Sequence, residues 1–240
     1  MTAPSADAIV VDGVTLSRPV QLAVGTNKSL WVAFLEPDKR VVQFRIASPP
    51  VATGLWVRDA EFREFGGIAA DADSGFVYVA DVRANTIVKY APSETGGTRV
   101  ALLASEGNGD TFVRAPRGIF CFGDSLLVAD SDKSWLQVLD ADVPFSGRGQ
   151  IQGPADAPLV LHTPVDVWVD TSGRYYVAEQ GRVLQIAPDG RIKEVVTALD
   201  PQAPALPQAL AANTTQVWVP DPMKQQCTIY QINTVTEELP

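Results

Sequence analysis

Apolar positions along this chain fall into short runs broken by turns, and the runs recur. A valine-centred run appears five times: Leu30-Trp31-Val32-Ala33, Val77-Tyr78-Val79-Ala80-Asp81, Leu126-Leu127-Val128-Ala129-Asp130, Tyr175-Tyr176-Val177-Ala178-Glu179 and Val217-Trp218-Val219-Pro220-Asp221. The central valines lie 47, 49, 49 and 42 residues apart (32 to 79, 79 to 128, 128 to 177, 177 to 219). Self-similarity at such a period predicts a radial array of small sheets. Each run is preceded by an apolar segment opening near proline or glycine, such as Gly66-Gly67-Ile68, Pro116-Arg117-Gly118-Ile119, Pro164-Val165-Asp166-Val167 or Pro207-Gln208-Ala209-Leu210. It is followed by a third run, such as Ile87-Val88-Lys89-Tyr90 or Cys227-Thr228-Ile229-Tyr230, and in most units by a weaker fourth, such as Arg99-Val100-Ala101-Leu102-Leu103. Turns such as Asp71-Ala72-Asp73-Ser74-Gly75 carry residues that tolerate reversal dihedrals. Apolar residues nowhere recur every three or four positions, and prolines and glycines, 18 of each, interrupt any long helix.

The pattern predicts an all-β chain: a β-propeller of five blades with four antiparallel strands each, one domain spanning residues 1–240. The fifth unit ends soon after its third strand, and an apolar segment at residues 9–16 precedes the first unit. We therefore expect the N-terminal strand to complete the C-terminal blade and close the ring, leaving no broad edge open. A six-bladed ring is the alternative, and it needs a blade assembled mostly from the termini.

Several stretches resemble the NHL-repeat β-propeller family. Glu106-Gly107-Asn108-Gly109-Asp110-Thr111-Phe112 running into Ala115-Pro116-Arg117-Gly118-Ile119 looks like that family's inter-repeat signature, as does Gly153-Pro154-Ala155-Asp156-Ala157 running into Thr163-Pro164-Val165-Asp166-Val167. Val79-Ala80-Asp81 to Asn85-Thr86-Ile87, and Gln185-Ile186-Ala187-Pro188-Asp189-Gly190, are similar to its strand-acid-asparagine succession and to its repeat ending. The resemblance implies the ring fold. It leaves function open, because NHL-like rings include protein-binding scaffolds, RNA-binding domains, sensors, lyases and lactonases.

Composition narrows this range. Nineteen basic against 28 acidic residues give a net charge of −9, with no basic run, which opposes nucleic-acid binding. Residues 1–7 have neither the basic start nor the apolar core of a signal peptide, and no stretch is long and apolar enough to span a membrane, so we expect a soluble chain of open localisation and oligomeric state. A form exported with its leader removed would read the same. Cys121 and Cys227 fall on different strands two blades apart, too far for a disulfide.

The loops between second and third strands and those between blades are expected on one face, at the channel mouth. They gather Arg18, Gln21, Arg117, His162, Asp166 and Gln208 with Glu36, Asp81, Arg83, Asp130, Asp132, Lys133, Glu179, Arg182, Asp221 and Lys224. The repeated acids Asp81, Asp130, Glu179 and Asp221 are expected to brace turns, since a brace is needed in every blade and a catalytic group only once. The expected ligand-binding set is Arg117, Trp135, His162, Asp166, Gln21 and Gln208, taking a protein, peptide or glycan without catalysis and without a cofactor. If the chain is instead an enzyme, a propeller lyase or lactonase, His162 paired with Glu179 is the candidate catalytic group, and Glu36, Asn85 and Asp166 are candidate ligands for calcium. Trp31, Trp168 and Trp218 are expected in the core. Exposed Trp56 and Val57 would mark an accessory subunit that binds through its blade sides. The irregular stretch at residues 140–163, with Phe145 and Arg148, is the expected recognition loop.

Overall fold

The computed structural model describes residues 9–11, 13–25, 28–47, 50–107, 109, 111–155, 158–196, 207–221 and 226–232. Twenty strands form five separate antiparallel sheets in chain order, with no helix among the described residues. Blade 1 holds β1 (Ile9–Val11), β2 (Val14–Val24), β3 (Ser29–Glu36), β4 (Arg40–Arg45) and β5 (Val51–Arg58). Blade 2 holds β6 (Phe65–Ala70), β7 (Val77–Asp81), β8 (Thr86–Ala91) and β9 (Thr98–Ala104). Blade 3 holds β10 (Pro116–Phe122), β11 (Ser125–Asp130), β12 (Trp135–Asp140) and β13 (Gly147–Gln150). Blade 4 holds β14 (Asp166–Val169), β15 (Tyr175–Glu179), β16 (Arg182–Ile186) and β17 (Ile192–Val196), and blade 5 holds β18 (Ala211–Ala212), β19 (Gln216–Asp221) and β20 (Gln226–Gln231). The chain is a five-bladed β-propeller.

The valine-centred runs are β3 of blade 1 and the second strands of blades 2 to 5, and the reason for their composition is their position between neighbouring blades. β7 and β11 are buried at every residue, so both faces must be apolar and the branched side chains suit the pleat. Outer strands meet water and alternate less, as in β9. Facing blades share a core. Trp31 and Val41 of blade 1 meet Ile68, Val79 and Tyr90 of blade 2. Tyr78, Ile87 and Leu103 meet Ile119, Leu126 and Leu139 of blade 3. Leu127 and Leu136 meet Val177, Leu184 and Ile186 of blade 4, and Tyr176 and Val183 meet Val217, Val219 and Ile232 of blade 5.

Among the described residues no such cluster joins blade 5 to blade 1. Instead Val20, Leu22 and Val24 on β2 are 42%, 56% and 52% exposed, and Ile229 on β20 is 52% exposed. The expectation that the N-terminal segment completes the C-terminal blade is thereby corrected. β1 pairs with β2 in blade 1, Ile9 opposite Leu16 and Val11 opposite Val14. Gly13, at φ 70°, makes the reversal immediate. A hairpin between segments so close in sequence costs far less chain entropy than a pairing across the whole chain. Residues 14–16 are not a separate strand but the start of the long β2, where Leu16 is buried against Phe34, Val42, Phe44 and Trp56.

The stretch at 140–163 is also less irregular than expected. Its residues 147–150 are the fourth strand of blade 3, with Gln150 opposite Gln137 and Gly147 opposite Leu139. Arg148 is a clamp there, donating from Nη1 to Asp124 and from Nη2 to Asp140, each at 2.7 Å. Trp56 and Val57 are buried, at 6% and 0% exposure. Arg40 stacks over the Trp56 ring at 4.6 Å, and the Trp56 indole donates to the Glu94 carbonyl at 3.0 Å.

Candidate functional site

The face bearing the second-to-third-strand turns is organised by the repeated acids. Asp81 ends β7, where its carboxylate accepts the amides of Arg63 at 2.6 Å, Glu64 at 3.1 Å and Ala84 at 2.9 Å. Asp130 ends β11 and accepts those of Arg114 at 2.9 Å, Ala115 at 3.1 Å and Lys133 at 3.3 Å. Each acid therefore ties its own turn to the loop that enters its blade. A carboxylate does this where a neutral side chain cannot, because it offers about four acceptor positions and no competing donor. The Asp221 side chain and Lys224 lie outside the described residues.

Glu179 does the same work in blade 4 and is fully buried. Its carboxylate accepts the main-chain amide of His162 at 2.5 Å, and its other oxygen is bonded by the Arg182 guanidinium. Arg182 also donates to the Val160 carbonyl at 3.2 Å. His162 and Glu179 are thus adjacent, as expected, but the contact runs through the backbone of His162, whose side chain is exposed. Asn85, at φ 54°, points its side-chain amide at the Val82 and Arg114 carbonyls, two acceptors that call for its nitrogen rather than its oxygen, and so bridges two blades. Glu36 is held at the rim by Arg18 at 2.8 Å and Ser17 at 3.2 Å. The Arg18 guanidinium and the Ser17 hydroxyl hold its carboxyl below the usual range. Glu36, Asn85 and Asp166 each have partners of their own. Among the described residues no group of three His, Cys, Asp or Glu is placed to share a metal ion.

The remaining loop-face candidates are presented to solvent to different degrees. Arg117 is half-buried, and its backbone lies under blade 2: a Cβ on Gly67 would come within 2.5 Å of the Arg117 carbonyl. Gln208 is exposed ahead of β18. Trp135 is half-buried, with the Lys133 ammonium 5.0 Å from its ring. Lys133 itself donates to the carbonyls of Gly109 at 2.8 Å and Phe112 at 2.5 Å. The Ser131 hydroxyl, which the sequence did not single out, donates to the Pro164 carbonyl at 2.5 Å and joins blades 3 and 4.

Gln21 and Asp166 lie inward, on an open cavity of about 750 Å³ lined by the inner strands. Its walls include Ala23, Ile68, Phe120, Trp168 and Leu210, and it continues into the cleft between Leu22 and Val24 of blade 1 and Trp218, Pro220 and Cys227 of blade 5. Asp166 accepts the amides of Val167 at 2.9 Å and Leu210 at 2.8 Å. It sits where blades 3 and 4 nearly touch, so that any Cβ on Gly118 would collide with it. Burial outweighs those two hydrogen bonds and pushes its carboxyl up to about 7. Trp168 and Trp218 are therefore channel and cleft walls as well as packing residues, and Trp168 stacks obliquely on Phe120 at 5.0 Å. Cys121 and Cys227 also line this space as free thiols, and burial pushes Cys121 up to about 12. The cleft walls carried no motif. Leu22 and Ile229 look like any other strand residue in sequence.

A second cavity of about 470 Å³ lies between blades 1 and 2 under residues 59–63. Its walls carry paired side chains: Tyr90 donates to Asp59 at 2.7 Å and Arg99 to Glu61 at 2.8 Å. The channel cavity is larger, more apolar and shared by all five blades, so we take it as the better candidate.

No family model matches the chain, and no curated protein matches it in sequence. Solved structures match it in shape. The nidogen/laminin complex contains a chain that is 16% identical, with a TM-score of 0.67 over 88% of this chain and 74% of the other. A structural-genomics protein of unknown function from Bacteroides thetaiotaomicron is 16% identical, with a TM-score of 0.66 over 92% of this chain and 60% of its own length. A catalytically inactive virginiamycin B lyase from Staphylococcus aureus, solved with quinupristin, is 12% identical, with a TM-score of 0.55 over 97% of this chain and 69% of the other. At these identities the likeness is one of fold, and the chain is a β-propeller whose blades resemble theirs.

Proposed function

We propose that the protein is an NHL-like binding module that takes a protein, peptide or glycan on its loop face without transforming it. The observation that carries this reading is how the acids of that face are used. Asp81 and Asp130 are occupied by main-chain amides, and Glu179 by an amide and Arg182. A carboxylate whose lone pairs hold the fold together is poorly placed to move protons for a substrate. What the face offers a partner is Arg117, Trp135, His162 and Gln208, the mixture of aromatic and Arg anchors typical of recognition surfaces. A neighbour in fold that is part of a protein complex, nidogen with laminin, supports a protein partner. Panning peptide-display and glycan arrays with the whole chain tests the reading. Binders found this way should lose at least about tenfold in affinity to Arg117→Ala/Trp135→Ala/His162→Ala, with the thermal midpoint unchanged. Retained affinity in that folded variant would overturn the face assignment.

The second reading is an enzyme of lyase or lactonase type working at the same mouth through His162 and Glu179, or through calcium on Glu36, Asn85 and Asp166. It draws on the lyase neighbour, which is similar over nearly the whole of this chain. Calcium titration followed by calorimetry separates the two, because stoichiometric, saturable binding would favour the enzyme.

A further inference from the structure

We propose that the channel binds an organic cation with a bulky apolar body, its charged head on Asp166 and its body in the cleft between blades 5 and 1. This ligand is separate from any partner of the loop face and does not depend on one. The space, about 750 Å³, suits a small molecule rather than a folded partner. Among the described residues that line it, Asp166 is the one charged side chain. Its two amide partners leave acceptor positions on the carboxylate unfilled.

The surroundings decide the sign and shape of what fits. An anion would face an uncompensated carboxylate. A polar neutral molecule would find few partners on walls of Ala23, Ile68, Phe120, Trp168 and Leu210. A cation with an aromatic or branched body gains an ion pair in a poorly hydrated site. It also covers Leu22 and Val24, which are more than half exposed, beside Trp218. The net charge of −9 draws cations toward the ring from outside.

Burial keeps the empty carboxyl protonated up to about pH 7, so the cation binds best above that. Among the described residues no other charged side chain lines the site. β10 presents Gly118 and, further along, the Cys121 thiol. Blade 5 presents the Leu210 amide and the Cys227 thiol. Arg117 precedes Gly118 at the mouth and is not part of the lining.

Isothermal titration calorimetry of the whole chain with phenethylammonium chloride, against 2-phenylethanol as the neutral control, tests the proposal. At pH 8 the ammonium compound should bind at least about tenfold tighter than the alcohol, as expected for a charged hydrogen-bonded pair. Its affinity should fall about tenfold at pH 6, while that of the alcohol stays level. Asp166→Asn, which keeps an acceptor for one of the two amides, should remove the preference. Equal affinities for the two compounds, no binding of the ammonium at millimolar concentration, or an unchanged preference in Asp166→Asn would each overturn it. Should Asp166→Asn not fold, the preference of the wild-type chain for the ammonium over the alcohol at pH 8 decides by itself.

Discussion

Asp166 accepts the Leu210 amide at 2.8 Å, and with that bond the inner strand of blade 4 holds the chain entering blade 5. The same carboxylate faces the channel, so one side chain serves both a blade junction and the candidate ligand site. Those duties conflict energetically, because the position that suits a ligand is one where an empty carboxylate is poorly solvated.

The conflict has a pH signature. The folded-state value of Asp166 is raised to about 7 from an ordinary 3.8. The native state therefore holds a proton that the unfolded state has released, and the stability linked to Asp166 is full below about pH 4 and lost as pH rises through about 7. Thermal midpoints between pH 5 and 8 should decline more in the wild type than in Asp166→Asn. Parallel curves would show that Asp166 ionises normally.

Asp130 is fully buried and accepts three main-chain amides. Asp130→Ala leaves those donors without a partner and should cost about 3 kcal/mol or more in denaturant unfolding. The exposed Asp132, two residues on, should tolerate alanine within about 0.5 kcal/mol. A small effect at Asp130 would undo its role as the brace of blade 3.

Leu16 is 5% exposed against Phe34, Val42, Phe44 and Trp56. Leu16→Ala should destabilise the protein by about 2–4 kcal/mol, the usual cost of emptying a packed site. Removing residues 1–13 should cost less, since β1 pairs only with β2. The reverse order would point to an N-terminal strand that completes blade 5 after all.

Leu22 offers the matching test of the open cleft. At 56% exposure it should accept serine with a change within about 0.5 kcal/mol. A loss of about 2 kcal/mol would mean that blades 5 and 1 close on each other in solution.

The blades were legible because their cause is local. A strand pressed between two sheets must be apolar on both faces, which is why Val77–Asp81 and Leu126–Asp130 stand out as runs; the first coincides with β7 and the second with all of β11 but Ser125. The bracing acids Asp81, Asp130 and Glu179 were legible for the same reason, each being at the end of such a run. The strand opening blade 5 was misplaced by a few residues, at 207–210 instead of Ala211–Ala212, because proline marks a segment's approach and not the residue where pairing begins. Trp56 carried no signal of its burial, since the outer strand that holds it reads as a rim and its cover comes from elsewhere, Arg40 on β4 and the Glu94 carbonyl in the turn between β8 and β9.

The sequence by itself determined the number of blades, the order of their inner strands and the acids that pin the turns of blades 2, 3 and 4, because all three follow from periodicity and from neighbours within one repeat. Tertiary structure decided where the N-terminal strand pairs, which strand faces stay exposed, that Glu179 meets His162 through its backbone, and that Asp166 is the one charged side chain among the described residues lining an apolar channel. Each of these depends on which residues distant in the chain come to share a boundary, and on how much water remains there, which no single repeat encodes.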